Sequence, residues 1–238
     1  FDRRPLIAGA FFALAFGNRT EVLLTAPIFL YLLWRAEPDI GAPKMSEARS
    51  AQISRLIKFC ILPFILGAAT LVYNYVRFGS YTDFGYARIP GVLNEPWYVH
   101  GIFSPYYMPR QIWEMLFKGW DMREHFPLPM PNGFSSSILI GSPFLLFAFR
   151  AGWRDRAVKY AAWAAVIVLC LVLWMHGNSG GWQFGYRYAI VCLPWLFVIM
   201  LESAPKRLTN LEISAYVFSI AANAYATWLF HWTENIRP

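Results

Sequence analysis

The chain has 238 residues, of which 57% are hydrophobic and only 15% are charged, whereas about 25% of the residues in ordinary globular proteins are charged. This deficit, together with several long apolar runs, excludes a typical soluble domain and indicates an all-α, polytopic bundle of transmembrane helices. The formal net charge of +7 comes mainly from short loops between apolar runs. Because such a bias orients membrane proteins, we expect membrane lipid around the chain and no nucleic-acid partner.

The chain begins at Phe1, with no initiator methionine and no signal peptide. We therefore expect residues 1–238 to form one transmembrane domain, the C-terminal part of a longer protein. The three cysteines fall in apolar runs and the four histidines are isolated, so neither a disulfide framework nor a metal site is indicated. No cofactor is identified, a divalent metal has no support in the sequence, and no oligomeric state is predicted.

The first apolar stretch, residues 5–34, is interrupted by the polar segment 17–21, which contains Arg19 and Glu21. Each half has about a dozen residues, or roughly 18 Å of helix, which is too short to cross a ~30 Å hydrocarbon core. The stretch is therefore either one long broken helix or a re-entrant hairpin of two half-helices, which we favour because both basic ends then lie on the same side. In both geometries Arg19 and Glu21 form an intramembrane polar pair, with either a structural or a ligand-binding role.

A polar loop is predicted at 35–58, followed by spans at 56–76, 134–149, 160–176, 189–202 and 211–232. The basic surplus predicts that loops 35–55, 150–159 and 203–210 are cytoplasmic and that 77–133 and 177–188 are outside. The long outward loop 77–133 is rich in aromatic residues, so we expect it to be structured and to lie on the membrane. Within it, residues 109–120 have the pattern of a short interfacial helix whose apolar face carries Ile112, Met115 and Leu116.

The stretch Gly177–Leu201 is the strongest candidate for a binding site. Its glycine-rich start leads to Arg187, which is flanked by Tyr186 and Tyr188 and followed at once by an apolar segment. Glycines such as Gly181 and Gly185 allow sharp turns and a close approach to a ligand, and an arginine can bind a phosphate through two parallel hydrogen bonds. The alternative is that these side chains anchor the helix at the membrane interface without binding any ligand.

The order of several short motifs is informative. They are Gly17-Asn18-Arg19-Thr20-Glu21, Tyr73-Asn74-Tyr75, Arg77-Phe78-Gly79-Ser80, Gly85-Tyr86, Gly180-Gly181, Phe184-Gly185-Tyr186-Arg187-Tyr188 and Pro194. In this order the chain resembles the later half of bacterial multi-spanning glycosyltransferases of the C-type superfamily (GT-C). These are the family 39-like relatives of protein O-mannosyltransferases and aminoarabinose transferases. A departure is Tyr186, which stands where many members have a proline before the arginine.

The resemblance implies a glycosyltransferase in the bacterial inner membrane that moves a sugar from a polyprenyl-phosphate donor to an acceptor on the extracytoplasmic face. Arg187, with Tyr186, Tyr188, Gly181 and Gly185, would bind the donor phosphate. The catalytic acidic residue of such enzymes lies in the first outward loop, which we expect upstream of Phe1, so no catalytic residue is assigned. Candidate contacts for the sugar or acceptor are Asp83, Tyr86, His100, Tyr106 and Tyr107. The alternatives are a polytopic transporter, whose substrate sites also use broken helices, and a non-catalytic membrane scaffold.

Overall fold

The computed structural model describes residues 3–36, 45–123, 127–181 and 184–236, with the side chains of 45–47 excepted. It confirms the predicted all-α class, since the described residues contain eight α-helices and no strand, only two isolated bridges. Three of these helices are long and apolar enough to cross a membrane: Ala48–Phe78, Arg156–Met175 and Asn210–Trp232. The protein is therefore a membrane protein. The chain divides into two compact units, Phe1–Val92 and Leu93–Pro238.

The first unit begins with a helical hairpin. Helix α1 (Pro5–Asn18) is followed by a 3-10 turn (Thr20–Thr25) and helix α2 (Ala26–Arg35). The ring centroids of Phe12 and Phe29 lie 5.1 Å apart, whereas 17 residues of continuous helix would separate them by about 25 Å. The apolar stretch is thus broken at the predicted polar segment, and the chain folds back there.

Helix α3 (Met45–Phe78) is the surface on which the hairpin packs. Gly9 of α1 lies against Phe59 and Gly17 lies against Leu66, so α1 runs parallel to α3. In α2, Phe29 stacks on Phe59 and the carbonyl of Trp34 accepts a hydrogen bond from Gln52, so α2 is antiparallel. The apex of the hairpin consequently lies near Leu66, inside the apolar part of α3.

The predicted polar loop at 35–58 is only partly correct. Residues 37–44 lie outside the described residues, but α3 already begins at Met45, ten or so residues before the apolar run. Serine, glutamate, alanine, arginine and glutamine make up most of this extension, and most of these residues have good helix propensity. Polarity alone therefore does not end the helix.

The second unit is built on three helices and one short amphipathic helix. The helix predicted at 109–120 is α4 (Met108–Leu116), which ends earlier than expected and buries Met115 of its apolar face. Helices α6 (Arg156–Met175) and α7 (Leu193–Glu202) are antiparallel, because the backbone N–H of Asp155 donates to a Glu202 carboxylate oxygen at 2.6 Å. Helix α8 (Asn210–Trp232) begins at the same charged end, where Glu212 pairs with Arg150 at 2.8 Å.

Two predicted spans are not regular helices. Residues 134–149 form the four-residue helix α5 (Ile138–Gly141) and a 3-10 helix (Pro143–Phe149), separated by Ser142. The span at 189–202 likewise starts as a 3-10 helix (Arg187–Cys192) before α7. Irregular backbone at membrane depth is tolerated where it is buried in protein or lines a cavity, and both breaks flank the same cavity.

Candidate functional site

A cavity of about 300 Å³ lies in the second unit between these two irregular segments, α8 and Trp120. Its lining includes the polar residues Arg187, Ser136, Ser137, Ser142 and Asn223. It also includes apolar residues, mainly Ile138, Leu145, Ile190 and Leu193. A concave site of this kind, apolar with a few convergent polar groups, is typical of small-molecule and lipid head-group sites.

Arg187 is the charged residue of this lining. Its side chain is exposed, and its guanidinium carbon lies 5.6 Å from the centroid of the neighbouring Tyr188 ring. Within the described part of the chain it makes no hydrogen bond or ion pair to another residue. Its donors are therefore available to an anion that enters the cavity.

Tyr186, which was predicted to help bind the donor phosphate, is hydrogen-bonded inside the protein. It is buried, and its hydroxyl donates to Gln111 Oε1 at 2.7 Å. Gln111 in turn donates from Nε2 to the carbonyl of Gly177 at 3.2 Å. Burial, with a smaller contribution from Glu114, raises the pKa of the Tyr186 phenol above its usual range, so this tyrosine stays neutral and donates. Tyr186 also lines the cavity. Its hydrogen bond to Gln111 therefore holds the backbone next to Arg187 in place.

The predicted glycines fall into two groups. Gly185 lines the cavity, and nothing lies within 4 Å of the position that a Cβ would take there. Gly181 has a left-handed backbone (φ +55°) beside Phe134 and Asn178, and among the described residues it is not part of the lining, nor is Tyr188. Gly181 therefore shapes the loop, and Tyr188 contacts Arg187 from outside the cavity.

His100, Tyr106 and Tyr107 form a separate cluster in the same unit. The His100 and Tyr106 rings are 4.0 Å apart between centroids, and Tyr106 is 71% exposed. Tyr107 is buried, and its hydroxyl accepts from the His100 backbone N–H at 2.7 Å and donates to the carbonyl of Gly101 at 2.9 Å. Tyr107 is thus used internally, whereas Tyr106 offers an exposed aromatic face.

Asp83 and Tyr86 belong to the first unit. Asp83 accepts from Arg88 Nε at 2.6 Å and from the backbone N–H of Gly85 at 2.7 Å. The Arg88 hydrogen bond, followed by that from Gly85, holds the pKa of the Asp83 carboxyl below its usual range. Asp83 is therefore a paired carboxylate, and Tyr86 lines a second cavity beside it.

The predicted polar pair of the first hairpin is in contact at its apex. Arg19 Nη1 lies 3.8 Å from Glu21 Oε1, and the two side chains are 32% and 19% exposed. Their position near Leu66 of α3 follows from the packing of Gly17 on that residue. Both charges are therefore partly covered by protein, and a membrane role for the pair stays a prediction.

Sequence reasoning missed several lining residues of the Arg187 cavity. Ser136, Ser137 and Asn223 are far from Arg187 in sequence and meet it only through tertiary packing. One signal was available, because Asn223 stands in the middle of the predicted apolar span at 211–232. Its side-chain amide donates to the Gly141 carbonyl at 2.6 Å. This carbonyl lies at the break after α5, so Asn223 gives it a hydrogen-bond partner there.

No group of three or more metal-ligating side chains occurs in the residues that the structure describes. Comparison with known proteins assigns no family, since no family model matches the chain and no curated protein or solved structure is significantly similar to it. The functional argument therefore depends on the geometry of the cavity and on the motifs of the sequence.

Proposed function

We propose that the protein is a glycosyltransferase of the bacterial inner membrane that moves a sugar from a polyprenyl-phosphate donor to an acceptor on the extracytoplasmic face. The observation that carries the proposal is Arg187, an arginine without an intramolecular anion among the described residues, at a cavity whose lining combines polar and apolar residues. A lipid phosphate has the same two parts. Its head needs hydrogen-bond donors, and its first hydrocarbon units need an apolar wall.

The geometry of the second unit supports the donor-binding part of this proposal. Arg187 and the pair formed by Arg150 and Glu212 lie towards opposite ends of the second unit. Helix α6 begins after Asp155, near Arg150, and ends before His176, near Arg187, so its whole length lies between the two groups. An arginine at one end of a bundle lies at the height of lipid head groups. The exposed ring of Tyr106 offers a surface on which a sugar can stack.

The test is donor binding by the full-length protein in lipid vesicles. A short-chain polyprenyl phosphate is compared with the corresponding polyprenol, which lacks the phosphate. We expect Arg187→Ala to weaken binding of the phosphate about tenfold or more, because a charge-assisted hydrogen bond contributes about 1.5–3 kcal/mol. Arg187→Lys should also lose most of the affinity, since lysine lacks the planar fork.

The matched control is Arg207→Ala, which removes an exposed arginine between α7 and α8. It should leave binding of both lipids unchanged. If Arg187→Ala binds the phosphate and turns over a lipid-linked sugar like the parent protein, Arg187 is an interface anchor and the proposal is wrong.

A transporter is the second candidate, and one observation favours it. The break between α1 and α2 carries the Arg19–Glu21 pair and packs beside the apolar part of α3. Broken helices with polar tips form substrate sites in transporters. Counterflow of a soluble solute in vesicles, measured beside lipid-linked sugar turnover, separates the two functions. Solute exchange without sugar turnover would favour the transporter.

A further inference from the structure

A second cavity, of about 470 Å³, lies at the C-terminal end of α3 in the first unit. Its lining combines two arginines, Arg77 and Arg88, with the aromatic residues Phe78, Phe84 and Tyr86. Arg77 is the penultimate residue of the candidate span Ala48–Phe78. It therefore lies where an apolar helix reaches the head-group layer of a membrane.

The two guanidinium groups share one aromatic ring. Their carbons lie 5.1 Å (Arg77) and 5.2 Å (Arg88) from the centroid of Phe78. They are consequently within about 10 Å of each other, roughly one Debye length at 0.1 M salt, and act on an anion together. Gly85 closes the loop onto the same ring with a left-handed backbone (φ +78°), since an added Cβ there would lie 2.6 Å from Phe78 Cζ.

The charged residues at this cavity carry a net positive charge. Arg88 is held by Asp83 at 2.6 Å and donates from Nη2 to the Phe78 carbonyl at 2.8 Å. Arg77 is exposed and donates from Nη1 to the Tyr73 hydroxyl at 2.6 Å, and it has no carboxylate partner among the described residues. With two arginines and one aspartate, the formal charge is +1, and most donors of Arg77 are unused.

We propose that the Arg77–Arg88 cavity binds a phosphate group, Arg77 supplying a guanidinium that has no carboxylate partner among the described residues and Arg88 a second one that its hydrogen bond to the Phe78 carbonyl holds in place. Two planar guanidiniums at one cavity match the several oxygens of a phosphate. The aromatic walls at the end of a membrane helix suit either a phospholipid head group or a soluble phosphate that enters from the water. The site shares no lining residue with the Arg187 cavity and does not depend on the proposed function.

The experiment measures binding to the full-length protein in detergent by native mass spectrometry, with short-chain phosphatidic acid as the anionic probe and phosphatidylcholine as the zwitterionic one. Arg77→Gln should weaken phosphatidic acid binding about tenfold or more. Arg77→Lys should fall between the parent and Arg77→Gln. The matched control is Arg156→Gln, another exposed arginine at the end of a candidate span, which should bind like the parent.

A variant that binds phosphatidic acid more tightly than the parent shows that a loss of binding in other variants is not due to misfolding. Asp83→Asn keeps an oxygen that can accept from the Gly85 backbone and removes one negative charge, while Arg88 keeps its hydrogen bond to the Phe78 carbonyl. It should bind phosphatidic acid several-fold more tightly, which an unfolded variant would not do. If millimolar inorganic phosphate competes with phosphatidic acid, the cavity is a general phosphate site. If inorganic phosphate does not change phosphatidic acid binding, the cavity is a lipid head-group site.

Two outcomes overturn the proposal. One is equal binding of phosphatidic acid by Arg77→Gln and Arg156→Gln, which would make Arg77 an interface anchor. The other is an Asp83→Asn variant that binds no better than the parent. Because these substitutions change only Arg77, Asp83 and Arg156, neither outcome bears on donor binding at Arg187.

Discussion

The buried hydrogen bond between Tyr186 and Gln111 gives a prediction that separates structure from ligand binding beside Arg187. Replacing Tyr186 by Phe removes a hydroxyl that donates to Gln111 Oε1 at 2.7 Å between two buried side chains. The buried amide oxygen is then left without this donor, which costs about 1–3 kcal/mol. For a chain of this size each kcal/mol corresponds to about 2–4 °C in the midpoint of thermal unfolding.

Tyr225→Phe is the matched control. The Tyr225 hydroxyl is also buried, but it has no hydrogen-bond partner in the described part of the chain. Removing it should therefore leave the unfolding midpoint unchanged or raise it. The two substitutions delete the same atom and should shift the midpoint differently, so thermal unfolding of both variants in detergent is the assay. Equal shifts would refute the reasoning.

The double variant Tyr186→Phe with Gln111→Leu tests the mechanism of the loss. Removing both partners leaves no unsatisfied amide, and the Gly177 carbonyl, which Gln111 also binds, keeps its hydrogen bond from the Arg110 guanidinium. We expect the double variant to be less destabilised than the sum of the single variants. Simple additivity would mean that the unpaired amide is not the cause.

Two further predictions concern the first unit. Gly9→Ala should destabilise the protein by about 1–3 kcal/mol, because its Cβ would lie 2.2 Å from the Phe59 carbonyl oxygen. On α3, a Cβ added at Gly67 would have nothing within 4 Å, so Gly67→Ala should be neutral or stabilising by up to about 1 kcal/mol. If both substitutions shift the midpoint of thermal unfolding equally, the close packing of Gly9 on Phe59 is contradicted. Asp83, whose folded-state pKa is lowered mainly by Arg88, should contribute stability fully above its unfolded pKa of about 4 and lose it as the pH falls through the folded value. Thermal unfolding followed from pH 6 to about pH 3 should show this loss in the parent and less of it in Asp83→Asn; the same acid dependence in both would exclude Asp83 as its origin.

The broken first helix could be predicted because its cause is local. A polar segment containing Arg19 and Glu21 in an apolar run cannot cross a membrane unsupported, and the contact between Phe12 and Phe29 confirms that the chain folds back there. The beginning of α3 at Met45 does not follow from hydropathy, because polar residues with good helix propensity extend the helix beyond its apolar part.

The cavity at Arg187 could be predicted only in part. Arg187 itself stands out in sequence as the one charge between two apolar runs. Its neighbours Ser136 and Asn223 come from other segments, and their approach depends on the break at Ser142, where 3-10 geometry replaces the expected helix. Tyr186 is buried and donates a hydrogen bond to Gln111, a residue 75 positions away that no local pattern could indicate.

The hairpin α1–α2 also constrains how the chain enters a membrane during synthesis. Its halves have 14 and 10 residues, and neither is long enough to be retained as a membrane segment by itself. Their apolar sides, around Phe12 and Leu33, are buried against Phe59 of α3, which leaves the ribosome later. Stable insertion of residues 5–35 must therefore wait for α3, so a chain arrested before Phe59 should expose this hairpin to quality-control proteases.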